Sequence, residues 1–369
     1  MALIQGAAAQ TAAEPPIPPP PTLPSIGSYV LMDVTSGQVL ASKNPNDHYA
    51  PASLAKLMTA YLTYQALQGK TLTLDQQVPV TVSAWRTGGS RMFIQPHVPV
   101  DVDQLLSGLI IDSGNDAAVA LAQAVAGSQG AFVGLMNQAA QRLGLTNTHY
   151  TNVDGLPASG LYTSAMDVAR LSQALVTTFP QILKISDQRS YTYNKITQPS
   201  WNPLLSRDPT VDGLKTGLTD EAGYCIDATA LRQGRRLIAV VMHGPSWHGS
   251  SAAVEALLDY GTRFFSEHQV YRQGQVAGTY TSTNLDPLHL PVGPASPVTV
   301  AVPKGHYHDL RVRLVIQLPK GTIRRGQTIG SIQFTIHNRL IKSVPAVALR
   351  PAHRANVVEE FWNRMRLAV

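Results

Sequence analysis

"VDGLKTGLTDEAGYCIDATALRQGRRLIAVVMHGP", residues 211 to 245, decides the architecture. Its β-rich residues fall into three runs, and Gln233-Gly234 supplies a tight turn between the last two, so the stretch reads as three successive strands. A hairpin is expected far upstream, where "SYVLMDVTSGQVLASKN" (28 to 44) holds two β-rich runs around Thr35-Ser36-Gly37. Between them, residues 52 to about 185 carry mostly helical spacing. In "YAPASLAKLMTAYLTYQAL" (49 to 67), Leu54, Leu57, Met58, Tyr61 and Leu62 mark a buried helix face, and Ser53 is expected to cap that helix. "VDVDQLLSGLIIDSGNDAAVALAQAVAG" (100 to 127) predicts two helices around a Ser-Gly-Asn loop. "AFVGLMNQAAQRLGL" predicts another closed by Gly144, and "TSAMDVARLSQALVTTF" one capped by Thr163 or Ser164. "HGSSAAVEALLDYGTRFF" (248 to 265) closes the region as a helix. One antiparallel sheet built from both ends, with helices on both faces and a helical subdomain, satisfies this order: an α/β fold of the α+β kind.

After about residue 268 short β-like runs alternate with Pro/Gly turns ("VTVAVPKG", "LRVRLVIQLPKG", "GQTIGSIQFTIHN", "SVPAVAL"), which predicts a small all-β domain. The expected layout is a leader and linker over 1–25, a main domain over 26–268, a β-rich domain over 269–352 and a C-terminal helix over 353–369. Residues 15 to 24 contain seven prolines, a composition that favours an extended spacer. "MALIQGAAAQ" has small residues in an Ala-x-Ala-like order but no basic start, so a signal remnant and a plain leader both fit. The single cysteine, Cys225, excludes an internal disulfide and is expected to be a buried, inert thiol.

Charge is unevenly placed. Residues 301 to 369 hold 12 Lys/Arg against 3 Asp/Glu, whereas the first 300 hold 17 against 20. A basic end on a slightly acidic body suggests an anionic surface as partner. RNA-binding signatures are missing, so membrane headgroups are expected and nucleic acid is not. In "NVVEEFWNRMRLAV" (356 to 369), Asn356 and Glu359 have capping-box spacing. Val358, Phe361, Trp362, Met365 and Val369 share one face, away from Glu360, Asn363, Arg364 and Arg366. An interfacial helix and a helix packed on the β-domain both fit, and Leu367 lies off the face.

Three short motifs carry chemistry: Ser53-Leu54-Ala55-Lys56, Ser113-Gly114-Asn115 between two helices, and Lys215-Thr216-Gly217 on the first strand of the 211 to 244 block. Ser-x-x-Lys alone is expected about once or twice by chance in a chain of this length. The three together, in this order and these contexts, are the set of serine acyl-enzymes of the penicillin-binding and class A β-lactamase type. A serine hydroxyl needs a base within reach, and positions i and i+3 of a helix share a face, so Lys56 can serve Ser53. Lys56 must have a lowered pKa, through burial and a second cation, Lys215. Ser113 can bridge Lys56 and the leaving nitrogen as a proton shuttle, and Asn115 can position a peptide. Lys215 and Thr216 can bind a carboxylate, and Gly217 lets substrate lie close to the backbone. The N–H groups of Ser53 and Leu218 are expected to hold the oxyanion.

The chain resembles the serine D-alanyl-D-alanine carboxypeptidases, the low-molecular-mass class C penicillin-binding proteins (peptidase family S11 type) with a β-domain. The resemblance starts near residue 27. It includes "PASLAKLMTAY", "SRMF", "SGNDAAVALA", "GSQGAFVGLMN", "LGLTNTHY", "VDGLKTGLTDEAGYC" and "YGTRFF". It implies a β-lactamase/transpeptidase-like fold and cleavage of the terminal D-alanine from peptidoglycan stem pentapeptides, without a cofactor or metal. It also implies covalent inhibition by β-lactams and a periplasmic location, peripherally attached to the outer face of the cytoplasmic membrane. Catalytic or binding roles for Ser53, Lys56, Ser113, Asn115, Lys215 and Thr216 follow from it. Close relatives often carry His where Leu218 stands, so a side-chain role there would be lost.

Rival readings are kept open. A class A β-lactamase needs a Glu between the second and third motifs for fast deacylation, and residues 116 to 214 contain none. An endopeptidase would use the same residues, and a silent wall-binding protein would use none of them. Arg91 is expected as a solvated loop residue, with a place near the site as the alternative. His306 and His308 are expected to be solvent-exposed, since a metal pair would lack an evident third ligand.

Overall fold

The computed structural model describes residues 18–368. The leader "MALIQGAAAQ", Pro15, Pro16 and Val369 lie outside them. The central sheet contains β1 (Ser28–Asp33), β2 (Val39–Lys43), β3 (Val211–Thr219), β4 (Gly223–Arg232) and β5 (Arg235–Gly244) in the spatial order β2-β1-β5-β4-β3, every pair antiparallel. Gln233 and Gly234 turn β4 into β5 with φ of 52° and 77°. That left-handed pair matches the right-handed twist of the flanking strands.

Both faces of this sheet are covered, which is why its inner strands read as apolar runs rather than alternations. Successive side chains point to opposite faces. On one face Leu31, Leu237, Ala239 and Val241 pack with Ala253, Val254, Leu257 and Leu258 of α6 (Trp247–Phe264). On the other, Val30, Met32, Ile238, Val240 and Met242 join the core of the helical block. That block contains α1 (Lys56–Gln68), α2 (Val102–Ile110), α3 (Asn115–Ala126), α4 (Gln129–Arg142) and α5 (Ala165–Thr178). Its ends are chemically marked: Ser164 caps α5, Ser128 caps α4, and Gly144 follows α4 at φ 69°.

One expectation fails here. Ser53 does not cap α1, which begins at Lys56; it sits within a single 3₁₀ turn, Ala52–Ala55, and caps no backbone N–H. A capping oxygen must accept from the backbone of the first turn, but the Ser53 hydroxyl is taken by Lys56.

The β-domain starts as soon as α6 ends. Strand β6 (Phe265–Tyr271) straddles the boundary expected at 268/269, because no Gly or Pro separates helix from strand. It pairs with β9 (Val298–Pro303). Against this pair lies a five-stranded sheet of β7 (Gly278–Thr281), β8 (His289–Pro294), β10 (Arg311–Ile316), β11 (Thr328–Ile336) and β12 (Arg339–Ala348), ordered β7-β8-β12-β11-β10. Val300, Val302, Ile329, Ile332 and Phe334 fill the space between. The domains are tied by polar contacts: Gln38 bonds both backbone groups of Ala301, and Lys342 Nζ donates to Ser36 O at 2.6 Å and Thr299 O at 2.8 Å.

Helix α7 (Val357–Ala368) has its capping box: Asn356 Oδ1 accepts from Val358 and Glu359 N–H, and Asn356 N–H donates to Glu359 Oε2. Asn363, expected on the solvated side, is instead the anchor. It is buried and donates to Thr283 O at 3.1 Å and Leu285 O at 2.8 Å. The helix therefore docks through its polar side and leaves Val358, Phe361, Trp362 and Met365 exposed, each more than half accessible. Among the described residues no single helix is long and apolar enough to cross a membrane.

Candidate active site

The edge strand β3 runs beside the Ser53 turn, and glycine makes that approach possible. A Cβ on Gly217 would lie 3.0 Å from Ala52 Cβ and 3.1 Å from Ser53 N. The expectation that Gly217 clears space for substrate is thus redirected: its missing side chain faces the turn that carries Ser53.

Lys56 Nζ donates to Ser53 Oγ at 2.8 Å and to the Asp154 carbonyl at 2.9 Å. Lys56 is fully buried, and burial lowers its pKa to about 8 against the opposing charges of Asp154 and Asp116. Across the cleft, Lys215 Nζ donates to Ser113 Oγ and to Thr216 O, both at 3.0 Å. Its pKa lies well below the usual lysine value, first through burial and then through the charge of Lys56. Ser113 is thus hydrogen-bonded to Lys215. Asn115 donates its side-chain amide to Gly88 O at 2.7 Å. Thr216 is buried on β3 and Leu218 is exposed, with 45% of its surface accessible. The site holds a hydroxyl paired to a buried amine, with a second cation–hydroxyl pair beside it, a set suited to acyl transfer.

Two supporting elements escaped the sequence reading. The first is Asp116, next to the Ser-Gly-Asn motif. Its carboxylate accepts from the backbone N–H groups of Met92, Phe93 and Ile94 as well as Ala117. Together with the Asn115 N–H bond to Ser90 O, it latches the 88–94 loop over the start of α3. Within that loop Arg91 lies over the Phe93 ring, 5.4 Å from its centroid. The second is the turn 152–156, closed by Gly155 N–H to Asn152 Oδ1 and Leu156 N–H to Asp154 Oδ1. Thr59 Oγ1 on α1 donates to Val153 O at 2.8 Å, which draws this turn against the Ser53–Lys56 pair. Ala52 and Ser113, which border the site, hold φ of 47° and 58°, strained values for side-chain-bearing residues.

Cys225 opposes Gly217 in the ladder but is fully buried, and burial pushes its thiol up to about 11, so it is inert. Asp112 is a buried carboxyl with Gln198 beside it. Burial, then the charge of Asp116, raise it to about 7.

Comparison with known proteins agrees with this geometry. The pattern of the D-alanyl-D-alanine carboxypeptidase family matches residues 12–246, and that of the penicillin-binding protein 5 C-terminal domain matches 265–354. D-alanyl-D-alanine carboxypeptidase DacA of Escherichia coli (strain K12) is 37% identical over 358 residues, 94% of this chain and 89% of the relative. The crystal structure of penicillin-binding protein 5 from Haemophilus influenzae superposes with a TM-score of 0.83 at 32% identity, covering 91% of this chain and 99% of that one. Listeria monocytogenes penicillin-binding protein D2, solved in an ampicillin-bound form, matches 66% of this chain and 99% of its own at TM-score 0.60 and 30% identity. The chain belongs to the D-alanyl-D-alanine carboxypeptidase family of serine hydrolases, with the β-domain of penicillin-binding protein 5 at its C-terminal end.

Proposed function

We propose that the protein removes the terminal D-alanine from peptidoglycan stem pentapeptides through an acyl-enzyme on Ser53. The observation that carries this reading is the 2.8 Å contact between the Ser53 hydroxyl and a fully buried Lys56 amine of lowered pKa. In the proposed cycle neutral Lys56 takes the Ser53 proton as Oγ attacks the penultimate D-Ala carbonyl. The N–H groups of Ser53 and Leu218 stabilise the oxyanion. Collapse breaks the peptide bond as Ser113 passes a proton to the departing D-Ala amine and takes in return the one held by Lys56; water then attacks the ester, gives its proton to Lys56, and Lys56 passes it to Ser53 Oγ as the acid leaves. Lys215 and Thr216 bind the terminal carboxylate, and Asn115 orients the peptide.

A β-lactam presents its strained amide to the same serine, and the acyl group stays there. The absence of Glu between residues 116 and 214 supports slow release. A DD-endopeptidase would need the same residues but a cleft open at both ends. The family β-domain and the exposed apolar face of α7 support a periplasmic enzyme in peripheral contact with the membrane. The test is D-alanine release from a peptide ending in D-Ala-D-Ala. Ser53→Ala and Lys56→Ala should each lower kcat at least about a thousandfold while circular dichroism stays native. Full activity in Ser53→Ala would sink the proposal.

A further inference from the structure

The β-domain carries a cluster that has no part in acyl transfer. Pairing of Arg311 with Thr335 at the start of β10 and the end of β11 sets the register. Residues just before 311 and just after 335 therefore emerge at the same end of the sheet. The first group is the short turn Tyr307–Asp309, flanked by His306; the second is the β11–β12 turn, where His337 and Asn338 hold φ of 48° and 63°. The sequence shows His306 and His308 as a pair without a third partner. Folding supplies His337 from 29 positions beyond His308.

Three imidazoles converge on one carboxylate. Asp309 Oδ2 lies 3.0 Å from His306 Nδ1 and 3.5 Å from His337 Nε2, while Oδ1 lies 3.1 Å from His308 Nε2. The His306 and His337 rings stand nearly perpendicular, with centroids 5.4 Å apart. Accessibility rises from the floor of the cluster to its mouth. The side chains of His306 and Asp309 are 4% and 11% exposed, those of His337 and His308 50% and 68%. We propose that His306, Asp309 and His337 bind a zinc ion, with solvent completing the coordination.

The distances suit that ion. Zinc–ligand bonds of about 2.0–2.1 Å in a tetrahedron place neighbouring ligand atoms roughly 3.3 Å apart, and the Asp309–His306 and Asp309–His337 separations bracket that value. Ligand atoms of His306, Asp309 and His337 all lie within 4.8 Å of one another. Imidazole with one carboxylate selects a borderline transition cation over magnesium or calcium, which take oxygen ligands. The buried floor would fix two ligands in advance, and the exposed pair gives the ion an entry path. Bound zinc would fasten the 306–309 turn to the β11–β12 turn, a structural role separate from the chemistry at Ser53.

Zinc titration of the full chain after chelator treatment, followed by calorimetry, tests this. One zinc per chain should bind at pH 7.5, and magnesium should not. His337→Asn keeps a residue tolerant of left-handed φ, so it should fold and release D-alanine normally while zinc affinity falls at least about tenfold. Asp309→Asn should do the same. Absence of binding at millimolar zinc would overturn the proposal. So would equal zinc binding by the wild type and both variants.

Discussion

In the proposed cycle Lys56 is the base, and its protonation sets the expected pH response. A lysine of ordinary pKa would be neutral in roughly one molecule in a thousand at pH 7.4. Lowered to about 8, Lys56 is neutral in roughly one in five at that pH. A base works only when unprotonated, so kcat/KM should rise with pH through a limb near 8 and level above it. A limb near pH 4 to 5 in the pH–rate profile would point to a carboxylate base instead. Burial, and then the charge of Lys56, hold Lys215 well below the usual lysine value. Residue identities of this kind were legible in the sequence, since Ser53 and Lys56 are three positions apart. Lys215 was legible through its own motif, whereas Asp154, 98 positions beyond Lys56, was not. Periodicity does not report such distances.

At the scale of elements, the site depends on how closely loops can approach the 52–55 turn. Gly155 holds φ of 86°, and a Cβ there would fall 1.7 Å from the Ala52 carbonyl oxygen. Gly155→Ala should therefore move the turn that carries Ser53. We expect a loss of about 2 kcal/mol or more in stability from backbone strain and overpacking. The rate should fall by about a hundredfold, since sub-ångström positioning of a nucleophile governs reactivity. Urea unfolding and D-alanine release measure the two effects, and a variant with wild-type stability would contradict the packing argument. Strand and helix runs were readable because each follows from local spacing. The 3₁₀ start of α1 was not, since Ser53 has the residue type and place of a cap and only its contact with Lys56 reassigns it. Gly217 was flagged for its lack of a side chain, but which side needed the space depended on the neighbouring turn. His337 was invisible as a ligand because a hairpin register places it beside Asp309.

For the whole molecule, the residues proposed for acyl transfer lie in one domain and α7 lies against the other. Gln38 and Lys342 couple them through paired polar bonds, so the β-domain holds α7 in a defined orientation. That helix presents Val358, Phe361, Trp362 and Met365 outward, and residues 301 to 369 carry excess positive charge. Apolar burial and attraction to anionic headgroups act together in such helices. Flotation with vesicles of anionic phospholipid should therefore capture the wild type. Replacing both Phe361 and Trp362 by Glu should reduce capture at least about tenfold without altering D-alanine release. Capture unaffected by the double change would remove α7 as the contact. The basic composition of the C-terminal end and the apolar side of the helix were readable, whereas its docking through Asn363 required the β-domain to be folded beneath it.

Ser53 should be acylated by a β-lactam and keep that acyl group, although it passes a peptide acyl group on to water. Intact mass followed over time after addition of benzylpenicillin tests this most directly. One long-lived adduct per chain is expected, located at Ser53 by peptide mapping and absent from Ser53→Ala. An unmodified mass at every time point, whether penicilloate accumulates or not, would contradict it.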